Sequence, residues 1–226
     1  MSIVRIFFSQ VWAILWKDIR CELRSKQTWM GMGLFALLVL VVFNFTFDLR
    51  INDKAVVAPG ALWVAFLFAS MLGLGRTMTS EREQGGSLDR LLLCPIDRKA
   101  IYLAKLLGNL LFIGGVEIVA LPVFVALFNL PLLVWPLVPV VVFGTLGIAI
   151  VGTLFSAMAA ATRVRELLLP ILVFPLIVPV VIGATRLTQA LLVPALHEPP
   201  WLSLIIAFDV IFLSLAMLTF QSVIEE

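Results

Sequence analysis

Hydrophobic residues run along the chain in six long blocks, each about as long as a helix that crosses a bilayer. Such a helix needs about 20 mostly apolar residues, because each residue advances it by about 1.5 Å and the hydrocarbon layer is about 30 Å thick. Short polar or proline-containing segments separate the blocks. The pattern therefore predicts an all-α integral membrane protein with six transmembrane helices. The predicted spans are residues 29–47, 61–79, 106–130, 137–161, 167–187 and 201–223.

The segment before the first block has a different pattern, which is typical of a helix lying along a membrane surface. On a 3.6-residue period, one face is apolar and the opposite face carries Lys17 and Arg20. The apolar face comprises Val4, Phe8, Val11, Leu15, Ile19 and Leu23. Trp12 and Trp16 flank it, as tryptophan does at membrane interfaces. We therefore expect residues 3–28 to form an interfacial amphipathic helix. The alternative is a helix that packs only against protein.

The composition supports a polytopic membrane protein and excludes a soluble domain. Hydrophobic residues make up 62% of the chain and charged residues only 13%, whereas soluble domains carry about 25% charged residues. With two cysteines and few glycines and prolines, the chain is neither disulfide-rich nor collagen-like. A net charge of +2 gives no reason to expect a nucleic-acid partner.

The basic residues are distributed unequally between the two sides of the predicted membrane. Alternation of the six spans places 13 of the 16 Lys and Arg residues on the side of both termini, with Lys105 reaching that interface from a helix end. By the positive-inside rule, both termini are cytoplasmic. Cys21 and Cys94 lie on this reducing side, so no structural disulfide is expected.

The most informative polar segment is residues 80–98, between the second and third spans. We expect the second span to continue as a polar helix through Glu83. Gly85 and Gly86 then permit a sharp change of direction, and Ser87 can cap a new short helix. Pro95 ends that helix.

The short helix in this segment is amphipathic, because Leu88, Leu91 and Leu92 share one face. Such a helix suits docking into a groove on a cytoplasmic partner. The alternative is an ordinary connecting loop that rests on lipid. Asp97 is expected to cap the third span, which opens with Arg98.

Two neighbouring stretches of the sequence are PGALWVAFLFASMLGLGR (59–76) and EREQGGSLDRLLLCPIDRKAIYLAKLLGNLLF (81–112). Both resemble the haem exporter protein B family (CcmB), the permease subunits of the cytochrome c maturation system. The positions that match the family are Pro59, Gly60, Trp63, Arg76, Glu81, Glu83, Gly86, Leu88, Leu91, Leu92, Pro95, Ala104 and Lys105. Gly85 departs from the family, many members of which have an acidic residue there.

The resemblance implies an ABC-2-type exporter permease architecture, in which the 80–98 segment is the coupling helix that engages an ATPase. The coupling residues it implies are Arg76, Glu81, Arg82, Glu83, Gly86, Ser87, Leu88, Leu91, Leu92 and Pro95. The sequence itself contains no G-x-x-x-x-G-K-[ST] motif to cradle nucleotide phosphates. We therefore expect a non-catalytic subunit whose ATPase is a separate cytoplasmic chain.

The resemblance also implies the partners. These are further membrane subunits of the maturation complex, two permease copies or a heteromeric pair, and indirectly a periplasmic haem chaperone, at a bacterial-type inner membrane. Haem and ATP would be handled by partner subunits, and no catalytic residue, metal site or cofactor is assigned to this chain. Alternatives are a permease of the same architecture exporting another substrate, such as a lipid or drug, and a membrane enzyme or ion-coupled carrier.

Two acidic residues, Glu117 and Asp209, lie well inside predicted spans, where a carboxylate is costly. Both should face the bundle or a cavity. Their role is either gating or coupling, or helix packing as a protonated or hydrogen-bonded group. His197 precedes the last span and is expected to be a solvated loop residue, since no second haem ligand accompanies it.

Prolines and glycines mark two other features of the spans. Pro170, Pro175 and Pro179 should kink the fifth span, as a moving element or as a static bend. Glycines in the third and fourth spans allow close helix approach. They are Gly108, Gly114, Gly115, Gly144, Gly147 and Gly152.

Overall fold

The computed structural model describes seven segments of the chain, and each of them is essentially one helix. The described residues are 2–25, 27–48, 54–83, 96–130, 134–160, 165–193 and 200–225. The helices are α1 (Ser2–Ser25), α2 (Gln27–Asp48), α3 (Lys54–Glu83), α4 (Arg98–Phe128), α5 (Val134–Ala160), α6 (Arg165–Leu192) and α7 (Trp201–Glu225). These segments contain no strand, and the prediction of an all-α protein is confirmed.

Helices α2 to α7 are each long and apolar enough to cross a membrane, so the predicted number of spans is confirmed. The apolar stretches are Thr28–Thr46, Ala55–Gly75, Arg98–Phe128, Trp135–Ala159, Leu169–Leu192 and Trp201–Phe220. α1 precedes the first of them and is the one described helix outside this set.

Two helices begin earlier than the hydrophobic blocks indicated. α3 starts at Lys54, so Pro59 lies inside the helix rather than before it. As the sixth residue of this helix, Pro59 lacks the amide hydrogen that would otherwise bond to the carbonyl of Ala55. α4 starts at Arg98, where the side chain of Asp97 accepts a hydrogen bond from the Lys99 amide at 2.9 Å. The predicted Asp97 cap is thus confirmed.

The core of the bundle lies around α3 and α5. Most residues of the spans in these two helices are buried, whereas only a minority of the span residues in α2 and α7 are. α5 packs against α3, α4, α6 and α7, and α3 packs against α2, α4, α5 and α6. Trp63 of α3 is fully buried, and its indole Nε1 donates to Oγ1 of Thr188 in α6 at 3.0 Å.

Glycines allow α5 to approach its neighbours closely, which agrees with the packing role predicted for them. A Cβ atom on Gly144 would overlap the indole ring of Trp63, and one on Gly152 would overlap the side chain of Leu74. A Cβ atom on Gly147 would lie 2.7 Å from Oδ1 of Asp209 in α7. α5 therefore contacts α3 at Gly144 and Gly152 and contacts α7 at Gly147.

This packing predicts that Gly144→Ala destabilises the bundle, because the new methyl group would overlap the buried ring of Trp63. We expect a loss of about 1–3 kcal/mol in the free energy of unfolding, as for other overpacked cores. Thermal unfolding of the detergent-purified protein measures it. Gly114→Ala is the matched control, since no atom lies within 4 Å of its added Cβ. Equal stability of the two variants would contradict this account of the α3–α5 contact.

Candidate functional site

The predicted coupling segment lies between the end of α3 and the start of α4. α3 continues as a helix through Glu83, as expected, and its backbone carries Arg76, Glu81 and Arg82. The side chains of these four residues are not among those described. The remaining predicted coupling residues lie outside the described residues: Gly86, Ser87, Leu88, Leu91, Leu92 and Pro95. Docking of this segment therefore stays a prediction.

The two helices that flank the segment, α3 and α4, pack against each other. The Asp97 cap fixes the direction in which the chain enters α4.

α1 packs along the first turns of α4 and covers them. Val11, Ile14 and Leu15 are all buried. Val11 and Ile14 belong to a hydrophobic cluster that includes residues of α4. Leu15 lies 3.7 Å from the position of a Cβ atom on Gly108 of α4. Phe8, which the periodicity assigned to the same face, is instead 61% exposed. The packed face is therefore rotated away from Phe8 and toward Ile14.

A buried ion pair joins α1 to α4. Nζ of Lys105 lies 2.7 Å from Oδ2 of Asp18, and the two side chains are 1% and 9% exposed. Lys17 also approaches Asp18, with 2.9 Å between Nζ and Oδ1. Because α1 covers the start of α4, the ammonium group of Lys105 is buried against Asp18 and is not exposed to solvent. Its position at the cytoplasmic interface stays a prediction.

The sequence contained a signal for Asp18 that periodicity arguments passed over. Asp18 follows Val11, Ile14 and Leu15 at helical spacing, so it lies on the buried face of α1. An acid on such a face needs a partner of opposite charge. Nothing in the local sequence identified Lys105, which is 87 residues further along the chain.

The other side of α1 is an exposed aromatic ridge, defined here as Phe8, Trp12 and Trp16. Trp12 is 64% exposed and Trp16 46% exposed, and their rings stack at 6.3 Å between centroids. The Arg20 guanidinium lies 5.0 Å from the Trp16 ring. α1 thus packs against protein on one face and presents aromatic and basic groups on another, which combines features of the two alternatives considered for it.

Polar side chains on α4 face α5. The Thr145 hydroxyl lies 2.7 and 2.8 Å from the two carboxylate oxygens of Glu117. About two helical turns earlier in α4, the side-chain amide of Asn109 donates to the Thr153 hydroxyl at 2.9 Å. These two contacts hold α4 and α5 in antiparallel register, since interhelical hydrogen bonds stabilise packing inside a membrane.

Both acids in the spans face the bundle, as predicted. Glu117 is 2% exposed and Asp209 is 4% exposed. They do not form a pair: Glu117 contacts Thr145 and Asp209 contacts Gly147, two residues that project from nearly opposite sides of α5. Neither carboxylate oxygen of Asp209 has a hydrogen-bond partner within the described part of the chain.

The prolines of the fifth span lie inside α6, which is described as one helix from Arg165 to Leu192. Pro175 and Pro179 are exposed on its outer face, whereas Val173 and Ile177 face the core. These two prolines therefore do not line the interior of the bundle. His197 lies outside the described residues, and the described residues contain no cluster of three or more His, Cys, Asp or Glu able to hold a metal ion.

The ion pair predicts a specific order of stabilities. Asp18→Ala should lower the free energy of unfolding by about 3 kcal/mol, because it removes a carboxylate from a buried ammonium group. Lys105→Met should cost less, since Lys17 still faces Asp18. Thermal unfolding in detergent checks both, with Ser9→Ala on the exposed side of α1 as control. A reversed order would show that this pair is not what secures α1.

Comparison with known proteins matches almost the whole chain to one family. The profile described as "CcmB protein" matches residues 9–225, which include most of α1, the six apolar helices and the coupling segment. The chain is 32% identical over 179 residues to Heme exporter protein B of Rhodobacter capsulatus, covering 78% of this chain and 81% of that protein.

Two further relatives agree. The chain is 30% identical over 182 residues to Heme exporter protein B of Bradyrhizobium diazoefficiens, covering 80% of this chain and 82% of the relative. It is 31% identical over 174 residues to the protein of the same name from Paracoccus denitrificans, covering 75% and 78%. With its six apolar helices, this is a multi-pass bacterial membrane protein. The chain belongs to the CcmB protein family.

Proposed function

We propose that this chain is the permease subunit of an ATP-binding cassette complex that acts in cytochrome c maturation. The observation that carries the proposal is the family match over residues 9–225, together with relatives named Heme exporter protein B. A match of this length includes both the membrane helices and the segment between α3 and α4. The proposal therefore concerns the whole chain and not one motif.

The chain would not hydrolyse ATP itself. Its sequence has no phosphate-binding G-x-x-x-x-G-K-[ST] loop, so a separate cytoplasmic subunit would supply the nucleotide energy. Two permease copies, or a heteromeric pair, would form the membrane part of the complex. Further membrane subunits would handle haem, and ATP hydrolysis would drive release of the haem-loaded periplasmic chaperone.

The proposed orientation puts α1 and both termini on the cytoplasmic side of the inner membrane. The excess of Lys and Arg on that side supports it. The aromatic ridge of α1 would then lie among the lipid headgroups, where Trp is favoured. Arg5 and Arg20, both exposed, would face anionic lipid.

The contacts of α4 support a mechanical route from the ATPase into the bundle. The coupling segment precedes the first turn of α4, and Lys105 fastens that part of α4 to Asp18 of α1. Further along the helix, Asn109 and Glu117 hold α4 to α5. A push on the coupling segment would therefore move α1, α4 and α5 together. In this scheme Glu117 is a coupling contact between two helices.

The docking part of the proposal predicts that changing Leu88, Leu91 and Leu92 together to Asp releases the ATPase subunit from the membrane. The three charges would remove the apolar contact that such a groove requires. Co-purification of the ATPase with the tagged permease measures the effect. The same three residues changed to Met should retain binding, because the apolar volume is preserved. Undiminished co-purification of the Asp variant would contradict docking through this face.

The maturation part of the proposal predicts that cells lacking this chain lose covalently bound c-type haem. Haem staining of membrane proteins after denaturing electrophoresis measures it, and the intact gene on a plasmid should restore the signal. The triple Asp variant should fail to restore it. Normal c-type haem in the deletion strain would instead favour a permease of this architecture that exports another substrate, such as a lipid or drug.

A further inference from the structure

Asp209 holds a buried carboxyl group deep within the predicted membrane. It lies eight residues after the start of α7 at Trp201, or about 12 Å along the helix at a rise of about 1.5 Å per residue. Because the hydrocarbon layer is about 30 Å thick, this is close to its middle. The residue is 4% exposed, and neither of its carboxylate oxygens has a hydrogen-bond partner among the described residues.

The helices that pack against α7 provide no charge to balance this carboxyl group. α5 has no ionisable residue. On α6, Arg186 is exposed. Three ionisable residues of α4 have other partners. Glu117 is hydrogen-bonded to the Thr145 hydroxyl, and Lys105 forms an ion pair with Asp18. The Tyr102 hydroxyl donates to the Ile150 carbonyl. The other ionisable residues of these helices are near helix ends: Arg98, Lys99, Arg165, Glu166 and Glu225.

The carboxyl group fits into a notch that Gly147 leaves in the surface of α5. The position of a Cβ atom on Gly147 lies 2.7 Å from Oδ1 of Asp209 and 3.2 Å from Cγ1 of Val180 in α6. Val180 is fully buried. The α5 backbone and a valine side chain therefore lie beside the carboxyl group, and its low exposure leaves little access for the water that would solvate an ionised carboxylate.

An ionised carboxylate without donors is strongly disfavoured in such surroundings, whereas a neutral carboxylic acid is tolerated. We propose that Asp209 is an intramembrane proton-binding site, which holds its proton while α7 packs on α5 and releases it to water when the two helices separate. Linkage works in both directions, so a bound proton stabilises the packed arrangement. That arrangement is favoured at low pH and is weakened as pH rises.

The two acids of the bundle would thus have different roles. Glu117 has a hydroxyl donor in Thr145, which stabilises it within the α4–α5 contact. Asp209 has no such donor in the described structure, and its contact with α5 depends on close approach to a glycine. The site requires neither nucleotide nor haem, so it can be tested on the permease alone, independently of the proposed function.

Infrared spectroscopy of the purified chain in lipid nanodiscs tests the proposal, because an un-ionised carboxylic acid has its own carbonyl stretching band. At neutral pH, the difference between wild type and Asp209→Asn should show one acid band that the variant lacks, and alkaline titration should remove it from the wild type. Glu117→Gln identifies any contribution of the other buried acid. Aspartate carrying a heavy carbon isotope assigns the band in the unmutated chain, even if a variant does not fold.

A second variant tests whether helix packing controls the proton. Gly147→Ala should push α7 away from α5, admit water and shift the loss of the acid band to a pH about one unit lower, a roughly tenfold weaker hold on the proton. Gly114→Ala, which meets no neighbouring atom, should leave the titration unchanged. Absence of an aspartic acid band from the wild type at neutral pH would overturn the proposal, as would identical titrations of the two glycine variants.

Discussion

The hydrocarbon layer offers no water to polar groups, and the arrangement of this bundle follows from that constraint. The contact between α1 and α4 includes an ammonium group and a carboxylate, Lys105 and Asp18, at 2.7 Å. The contact between α4 and α5 includes the pair of Glu117 with Thr145. Apolar packing could be satisfied by lipid as well as by protein, whereas these groups find their partners only at one register of the helices.

Close packing around α5 complements these polar contacts. Because Gly144, Gly147 and Gly152 lack side chains, α3 and α7 can bring a Trp, an Asp and a Leu side chain against the α5 backbone. α5 is in this way the common neighbour of the helix that precedes the coupling segment, the helix that follows it and the last helix of the chain. A movement of α4 therefore has a direct route to α7 through one helix.

Local sequence patterns predicted the elements of the fold better than their contacts. Block length and composition were sufficient for six spans, and the spacing of Asp97 and Arg98 was sufficient for the cap of α4. The same patterns did not identify the partner of Lys105, or that the face of α1 packed on α4 includes Ile14. Both depend on a contact between helices distant in the chain, whereas periodicity indicates only which residues of one helix are apolar. The coupling residues after Glu83 lie outside the described structure, so their assignment still depends on the sequence resemblance.

The pairing of Asp18 with Lys105 has a consequence for biosynthesis. Its two members are separated by 87 residues, and the helix that supplies the lysine is the third apolar span to emerge from the ribosome. α1 is made first, yet the partner that secures it does not exist until that span has been synthesised and inserted. Until that span has been synthesised, Asp18 lacks this partner, so α1 cannot complete its contact with α4 during the first part of translation.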